Sequence, residues 1–434
     1  MRLKVNNLGK IQKAEIDIDG ITVIAGSNNT GKSTVGKSIY SLFNSLNDME
    51  NKILSQKAAS VRTLCRRVVR DLLAHRTTLG ESARAISNLN ISFARNVTTP
   101  VMEEYQKYGD ISFESFQSIV REVFDKAKIV LDSDEADEVV IGFYAGICEI
   151  LDLSEITISQ ALVTRYFERV FNSQINTLQK SEKAIVALEL KKRDVSIEFL
   201  NHKCVSLNSE ISILHKAIYI DNPYLIDHLD EDDDDFSMVH NPLVQLLASQ
   251  YEKDDGQIIE SVLAEEKMDA IFAMLSSVVK GRILVQDGNY FLEDEDIDQP
   301  VSVKNLSSGL KSFVLLKMLV ESGAICNNDV LVLDEPEIHL HPEWQIVYAE
   351  LIVLLQKYMN LSIIVTTHSP YFLDAIDLFS KKHKIEDRTN YYLSKVVGSQ
   401  VEFQSVSGNI EAIYKEMASP IAVLETLRYE LAEE

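Results

Sequence analysis

Apolar and polar residues alternate over the first 20 positions, which predicts a pair of short strands. The run Ile21–Ile24 is apolar or β-branched throughout and predicts a buried strand. After Thr34, apolar residues return at intervals of three and four, at positions that include Val35, Ile39 and Leu42. This spacing is typical of an amphipathic helix. The chain is therefore expected to open with strands, a turn and a helix.

The pattern changes at about residue 51 and again near residue 174. Helical spacing recurs between these points, as in Phe113, Phe116 and Val120, and the stretch contains a single proline, Pro100. Alternation with a period of two returns in 184–190 and 195–200, which predicts a hairpin. We therefore expect a helical insertion followed by a return to β-structure.

The turn after the first buried strand fits the pattern G-x-x-x-x-G-K-[ST] at every fixed position. Glycine at positions 26 and 31 lets backbone N–H groups face inward and surround phosphate oxygens. Lys32 places an ammonium beside the β- and γ-phosphates, and the Ser33 hydroxyl is a ligand for Mg²⁺. The candidate residues of this nucleoside-triphosphate site are Gly26, Ser27, Asn28, Asn29, Thr30, Gly31, Lys32, Ser33 and Thr34.

Acidic residues and a histidine follow two later apolar runs, 330–333 and 362–365. Asp334 is predicted to hold Mg²⁺ through water, and Glu335 is predicted to polarise the attacking water as general base. His368 is placed to reach the γ-phosphate, because ligands bind beyond the carboxyl ends of parallel strands. The catalytic candidates are therefore Glu335, His368 and Lys32.

A second anion site is predicted where Ser307, Ser308 and Gly309 open a strongly apolar helix, because helix N-termini and hydroxyls bind anions. One P-loop does not need two phosphate sites within one protomer. We therefore expect this turn to cap the γ-phosphate bound by a second subunit. Gln174 is a further candidate, as a glutamine that senses Mg²⁺ between lobes.

Other polar features leave alternatives open. Arg66, Arg67 and Arg70 belong either to a solvated helix face or to a docking surface for nucleic acid or an acidic partner. Arg70 and His75 have the R-x4-H spacing, which resembles the catalytic signature of HEPN ribonucleases and also arises in a surface pair. The segment His339–His341 has metal-ligand residue types, but no third ligand is evident, so a structural role is favoured.

Composition narrows the classes of protein that fit. A length of 434 residues allows about two or three domains. The net charge of −23 opposes non-specific attraction to nucleic acid, so such binding needs a local basic patch or a partner. The chain has no run of about 18 apolar residues, so no contact with a membrane is expected. The four cysteines lie far apart, which favours a cytoplasmic protein.

Four segments in this order, GSNNTGKST, NLSSGLKS, VLVLDEPEIHLHP and IIVTTHSP, resemble ABC-type ATPases of the SMC, RecF and OLD group. The resemblance implies that the substrate is ATP with Mg²⁺. It implies an α/β fold of the P-loop NTPase class, ABC type, with a mixed sheet, flanking helices and a large helical insertion between Walker A and the signature. The implied motifs are Walker A at Gly26–Thr34, the signature at Leu306–Lys311, Walker B at Val330–Asp334, a D-loop around His339–Pro342 and switch His368.

The resemblance and the patterning divide the chain into five segments. They are the first part of the ATPase core (1–50), the helical insertion (51–174), a β-rich return to the core (175–225), a helical lobe (226–280) and the second part of the core (281–434). The segment after His368 is expected to be too short for the TOPRIM domain of OLD nucleases. The sequence also lacks a zinc-hook cysteine pair and a long heptad repeat, which counts against a full SMC or break-repair clamp.

The implied function is an SMC- or OLD-like ATPase that dimerises around ATP, as a homodimer or a higher even oligomer. We expect a sensor or motor subunit of bacterial anti-phage defence, working with a separately encoded effector such as a nuclease or toxin. One alternative is a DNA-repair clamp that binds DNA directly through its arginines. The other is an ATP-gated HEPN-like ribonuclease.

Overall fold

The computed structural model describes residues 1–74, 83–126, 133–177, 182–190, 193–209, 212–229, 241–251, 269–286, 288–294, 298–398, 400–417 and 419–433. These residues form two compact units. One comprises Met1–Asn47 and Ala161–Glu434, and the other comprises Asp48–Gln160. We describe each unit by itself.

The larger unit is built on a mixed sheet of 11 strands, in the order β6-β5-β4-β1-β2-β14-β13-β3-β12-β11-β7. A separate sheet of three strands has the order β10-β9-β8. The strands are β1 (Arg2–Leu8), β2 (Ile11–Asp17), β3 (Ile21–Ala25), β4 (Ala184–Leu190), β5 (Arg193–Leu200), β6 (Lys203–Ser209), β7 (Ala217–Ile220), β8 (Arg282–Gln286), β9 (Asn289–Glu293), β10 (Val301–Ser302), β11 (Val330–Asp334), β12 (Ser362–Thr367), β13 (Thr389–Val397) and β14 (Gln400–Ser405).

Helices accompany both units. They are α1 (Lys32–Leu46), α2 (Met49–Ala74), α3 (Ala83–Tyr108), α4 (Phe113–Lys126), α5 (Ser133–Leu151), α6 (Glu155–Val170), α7 (Asn241–Tyr251), α8 (269–278), α9 (Ser308–Glu321), α10 (Pro342–Met359), α11 (Pro370–Lys382), α12 (Glu411–Met417) and α13 (Ser419–Glu433). Three short 3-10 helices cover Pro223–His228, Val303–Asn305 and Glu386–Arg388.

The centre of the large sheet is parallel and buried. Strand β3 lies between β12 and β13, and β11 pairs with β12 and β7, all in parallel. All five residues of β3 are buried. A continuous apolar run is what a strand covered on both faces requires. The parallel arrangement also brings the carboxyl ends of β3, β11 and β12 to one edge of the sheet.

The smaller unit has its own apolar core. It contains buried side chains from four helices, among them Val69, Val97, Phe116 and Phe143. The buried ammonium of Lys57 donates hydrogen bonds to the Leu151 carbonyl at 2.6 Å and to the Tyr105 hydroxyl at 2.7 Å. A buried amine with such acceptors avoids the cost of an unpaired charge.

The structure confirms the predicted α/β class with a mixed sheet and flanking helices. The predicted hairpins at residues 1–20 and 184–200 are also present. Strand β6 was not predicted. None of the helices within the described ranges is long and apolar enough to cross a membrane.

Candidate functional site

The turn between β3 and α1 adopts a backbone shape that needs glycine. Gly26 has φ +152° and Gly31 has φ +73°, and Asn29 between them has φ +66°. A Cβ on Gly26 would lie 2.2 Å from the Ser394 hydroxyl and 2.6 Å from the Ser394 carbonyl. The loop therefore packs directly on β13, and residue 26 has no room for a side chain.

Lys32, the first residue of α1, is held at the base of this turn. Its side chain is only 4% exposed. The ammonium donates to the carbonyls of Gly26 and Ser27, each at 3.0 Å, and lies 3.2 Å from Oε1 of Glu335. The Lys32 ammonium is thus paired with two carbonyls and one carboxylate.

Asp334 meets the start of α1 from the end of β11. The Ser33 hydroxyl donates to Asp334 Oδ1 at 3.1 Å, and the Thr366 hydroxyl donates to the same oxygen. The Tyr219 hydroxyl donates to Oδ2. Burial first, and the neighbouring Asp334 carboxylate second, raise the pKa of Tyr219 well above its ordinary value, so Tyr219 stays a donor.

Glu335 has an unusual backbone for its residue type. Its φ is +52°, in the left-handed region that residues with a Cβ seldom adopt. Its N–H donates to the Thr366 carbonyl at 3.1 Å and to the Thr366 hydroxyl at 3.0 Å. These bonds to β12 stabilise the strained conformation, and the carboxylate lies 3.2 Å from the Lys32 ammonium.

His368 follows β12 and faces two carboxylates. Its Nδ1 lies 3.6 Å from Oε1 of Glu335 and 3.6 Å from Oε1 of Glu337. Its backbone N–H donates to Glu337 Oε1 at 2.9 Å. Burial is the largest influence on Glu337 and raises the pKa of that carboxyl above its ordinary value.

The P-loop faces a cavity of about 470 Å³, large enough for a nucleotide-sized ligand. Gln174, which was predicted to sense Mg²⁺, lines this cavity. Within it, the Lys10 ammonium donates to the Asn29 side-chain oxygen at 2.6 Å. The described lining consists of Asn7, Gly9, Lys10, Ile11, Gln12, Asn29, Thr30, Gly31, Lys32, Ser33, Thr34, Phe171, Gln174, Asn176, Thr177 and Glu335.

The predicted signature turn lies elsewhere in the fold. Ser307 caps α9 by accepting from the Leu310 N–H at 3.4 Å. A Cβ on Gly309 would lie 3.0 Å from the Trp344 ring and 3.1 Å from the His339 carbonyl, so the turn packs on the D-loop. The described lining of the P-loop cavity includes none of Ser307, Ser308 or Gly309.

Lys311, the last residue of the predicted signature, is a buried lysine. Its side chain is 3% exposed, and its ammonium lies 2.7 and 2.6 Å from the two carboxylate oxygens of Asp227. It also donates to the Lys304 carbonyl at 2.9 Å and lies 4.8 Å from the Tyr224 ring centroid. Lys311 therefore anchors α9 to the 3-10 helix Pro223–His228.

His339 and His341 are not part of the described lining of the cavity. His341 caps α10, and the ring of His339 packs edge-on against Tyr224. The described part of the chain contains no group of three or more His, Cys, Asp or Glu that could hold a metal ion. Arg66, Arg67 and Arg70 are exposed on α2, whereas His75 lies outside the described residues.

Several site residues were missed by sequence reasoning. Tyr219, Thr366 and Ser394 contact the P-loop or Asp334 from strands that are distant in the chain. A hydroxyl residue in an apolar strand gives no signal of its own, since it also occurs as an ordinary core residue. Glu337 gave a signal, because it is the third acidic residue in the DEPE run, but its burial could not be read from the sequence.

One known protein family matches part of this chain. Residues 164–374 match the family described as "AAA domain, putative AbiEii toxin, Type IV TA system". The match begins after the P-loop and includes Asp334, Glu335 and His368. Together with the P-loop sequence and conformation, it supports a P-loop ATPase domain.

Similar solved structures are head domains of SMC proteins. One from Thermotoga maritima is 11% identical, with a TM-score of 0.37 and coverage of 93% of this chain and 98% of that chain. An SMC head bound to the C-winged helix domain of ScpA is 11% identical, with a TM-score of 0.42 and coverage of 93% and 97%. A Pyrococcus furiosus head domain bound to the C-terminal domain of ScpA is 10% identical, with a TM-score of 0.33 and coverage of 98% of each chain. All three TM-scores lie below 0.5.

Proposed function

We propose that this protein is an ATPase that binds ATP with Mg²⁺ in the P-loop cavity and hydrolyses it with Glu335 as general base. The observation that carries the proposal is the convergence of Lys32, Ser33, Asp334 and Glu335 at one edge of the sheet. Ammonium, hydroxyl and carboxylate groups in this arrangement fit phosphate binding, metal binding and water activation.

Nucleotide binding would begin with an exchange of partners at Lys32. The inward N–H groups of the loop and the positive end of the α1 dipole favour phosphate oxygens. The Lys32 ammonium then turns from Glu335 toward the β- and γ-phosphates. This exchange frees the Glu335 carboxylate, so substrate binding itself prepares the base.

The residues present fit a magnesium ion. Ser33 Oγ and Asp334 Oδ1 lie 3.1 Å apart, and both are hard oxygen ligands of the kind that Mg²⁺ prefers. These two residues would hold the ion, directly or through water. When bound, Mg²⁺ neutralises charge on the phosphate oxygens. Thr366 and Tyr219 orient the Asp334 carboxylate by donating to it.

Hydrolysis would use Glu335 and His368. Glu335 accepts a proton from the attacking water, and its strained backbone keeps the carboxylate at the end of β11. His368, with Nδ1 3.6 Å from Glu335, contributes a donor toward the γ-phosphate. Gln174, which lies in the cavity lining, would contact the ion or the attacking water.

We further propose that two protomers close around two ATP molecules. The signature residues are absent from the described lining of their own P-loop cavity, yet Ser307 and Ser308 begin a helix whose N-terminus suits an anion. A second copy could supply them to the γ-phosphate. The assembly would then be a homodimer or a higher even oligomer.

The biological role we propose is a sensor or motor subunit that acts with a separately encoded effector, a nuclease or a toxin, in bacterial anti-phage defence. The family description, which names a toxin–antitoxin system, supports this class of role. The helical unit Asp48–Gln160 would be the output element. Purification of the tagged protein with its neighbouring gene products, with and without ATP, tests the role by asking for an ATP-dependent complex.

One observation favours a second candidate, a DNA clamp. Arg62, Arg66 and Arg70 recur every four residues on the exposed face of α2, and Arg67 lies beside them. Phosphate contacts from such a row would give salt-dependent binding of duplex DNA. Binding that is lost when Arg66, Arg67 and Arg70 are changed to Gln supports the clamp, and equal binding by the variant excludes it.

The ATPase proposal itself is tested by phosphate release from ATP. Wild-type protein is expected to turn over ATP with Mg²⁺ and to lose turnover when EDTA is added. Duplex DNA and RNA should be included in parallel assays. Stimulation by nucleic acid favours the clamp, whereas indifference favours a sensor coupled to a protein partner.

A further inference from the structure

Glu337 has a buried carboxylate beside the proposed nucleotide site. The proposed mechanism does not use this carboxylate. Its side chain is 2% exposed. Oε1 accepts from the Thr367 hydroxyl at 2.6 Å and from the His368 N–H at 2.9 Å. Oε2 is buried and has no hydrogen-bond partner among the described residues. Half of this carboxylate is therefore satisfied and half is not.

Burying a carboxylate oxygen without a hydrogen-bond partner costs folding free energy, so we expect the Glu337 carboxylate to have a function. The two hydrogen bonds that Oε1 accepts, from the Thr367 hydroxyl and the His368 N–H, do not require a charge. The side-chain carbonyl of a glutamine or asparagine could accept them as well. The one ion-pair contact of Glu337 in the described structure is with His368, whose Nδ1 lies 3.6 Å from Oε1, the same oxygen that accepts from Thr367 and the His368 N–H. A carboxylate at this place suits a histidine that must be oriented or must carry a proton.

The two carboxylates that face His368 differ in how far they can change position. Glu335 is 22% exposed and is paired with Lys32, so its position changes when the ammonium moves to a phosphate. Glu337 is fixed by Thr367, by the His368 N–H and by the turn it belongs to. Gln345 on α10 holds that turn, donating to the Leu340 carbonyl at 3.1 Å and accepting from the Ser369 hydroxyl at 2.7 Å.

We propose that Glu337 is a positioning residue that fixes the imidazole of His368 through Nδ1 and leaves Nε2 as the nitrogen that serves the nucleotide. The proposal rests on the proposed ATPase function. When ATP draws Lys32 away and Glu335 turns to the water, Glu337 remains as the partner of Nδ1. Because the carboxylate is held in place, the ring is the part that moves. A small rotation of the ring closes the 3.6 Å separation to a hydrogen bond.

A purely structural role makes different predictions. In that case Glu337 serves only as the acceptor for Thr367 and the His368 N–H, and glutamine, which keeps a carbonyl oxygen of the same reach, replaces it without loss. If Glu337 acts through the imidazole, Glu337→Gln lowers turnover although the fold is intact. Removing the imidazole first then makes the change at 337 irrelevant.

The first measurement is steady-state ATP turnover by wild type, Glu337→Gln, His368→Ala and the double variant. A carboxylate that orients a metal-ligating histidine typically contributes about 10- to 100-fold, and by analogy we expect kcat of Glu337→Gln to fall by about that factor with KM within about twofold. The double variant should match His368→Ala. Glu350→Gln is the matched control, since Glu350 contacts His383 at 2.9 Å far along α10, and it should turn over like wild type.

The second measurement reads the ring directly and does not depend on turnover. In ¹⁵N-histidine-labelled protein, the signal of His368 is assigned by its loss in His368→Ala. The proposal expects a proton on Nδ1 in wild type and a shift toward the Nε2–H form, which free imidazole prefers, in Glu337→Ala.

The outcomes separate the two proposals. Absence of turnover by wild type contradicts the ATPase function, whereas the ring measurement still decides the role of Glu337. Wild-type turnover with an equally active Glu337→Gln, a double variant slower than His368→Ala by the full single-variant factor, or an Nε2–H ring in wild type overturns the positioning role.

Discussion

The ammonium of Lys32 lies 3.2 Å from Oε1 of Glu335, so the P-loop lysine and the carboxylate that follows β11 form an ion pair in the P-loop cavity. The lysine side chain is 4% exposed, and its other partners are two loop carbonyls. In the proposed mechanism a phosphate would compete with this pair. The contact would therefore couple phosphate binding to release of the proposed base.

Removing this ammonium should weaken nucleotide binding. Charge-assisted hydrogen bonds contribute about 1.5–3 kcal/mol, so we expect Lys32→Ala to lower ATP affinity by about 10- to 100-fold. Binding of a fluorescent ATP analogue measures the effect. Lys37→Ala, a half-buried lysine on the same helix, is the control. Equal affinity of Lys32→Ala and wild type would show that the cavity does not bind phosphates as described.

The packing of the P-loop on β13 yields a second prediction. The buried Ser394 hydroxyl donates to the Ala25 carbonyl at 3.1 Å and lies 2.7 Å from the Thr30 hydroxyl. Ser394→Ala removes both contacts and should destabilise the protein by about 1–2 kcal/mol. It should also lower ATP affinity several-fold, because the loop loses its support. Thermal unfolding and nucleotide titration measure the two effects.

Ser405→Ala on the neighbouring strand β14 serves as the control for Ser394, since Ser405 is exposed. It should change neither quantity. If Ser394→Ala binds ATP as tightly as Ser405→Ala, the hydroxyl contributes packing only and the loop is rigid without it.

The position of helix α9 is stabilised by the buried ion pair of Lys311 with Asp227. Lys311→Ala leaves the Asp227 carboxylate without its cation, and breaking a buried pair typically costs about 3–5 kcal/mol. Asp227 is 23% exposed, so the lower end of that range applies. The midpoint of thermal unfolding should fall by several degrees.

The contrast is the Lys381–Asp377 pair, which has the same 2.6 Å separation but a lysine that is 58% exposed. Lys381→Ala should leave the unfolding midpoint unchanged, because exposed pairs contribute little. Similar midpoints for the two variants would mean that Lys311 does not hold α9 in place.

The dimer proposal predicts an effect of charge at the signature. Ser308 lies in the first turn of α9, where glutamate is favourable to the helix dipole, so Ser308→Glu should fold normally. Its carboxylate would repel a γ-phosphate held by the partner. With Glu335→Gln as background and ATP present, light scattering should show a dimer, and adding Ser308→Glu should return it to a monomer that still binds ATP. A monomer in both cases contradicts ATP-driven dimerisation.

Sequence reasoning reached the parts of the site that are local in the chain. The spacing from Gly26 to Ser33 and the placement of Asp334 and Glu335 directly after a buried run follow from a short stretch of residues each. The structure brings Ser33, Asp334 and Glu335 together because β3 and β11 are both parallel to β12. Their convergence therefore depends on one topological rule, that strand ends meet at one edge of the sheet.

The contacts that could not be predicted join distant segments through single hydroxyls or buried charges. Ser394 reaches the P-loop from a strand more than 300 residues later, and Tyr219 reaches Asp334 from β7. Lys311 was identified only as the last residue of the implied signature, and its pairing with Asp227 required the position of the 3-10 helix. Such contacts depend on strand order and packing, which periodicity does not specify.

The measurement that tests the central claim most directly is phosphate release from ATP by wild type and Glu335→Gln, with nucleotide binding measured on the same samples. We predict steady turnover by wild type, a loss of at least about 100-fold in kcat for Glu335→Gln, and retained ATP binding by the variant. Wild type without turnover, or Glu335→Gln with turnover equal to that of wild type, would contradict the account.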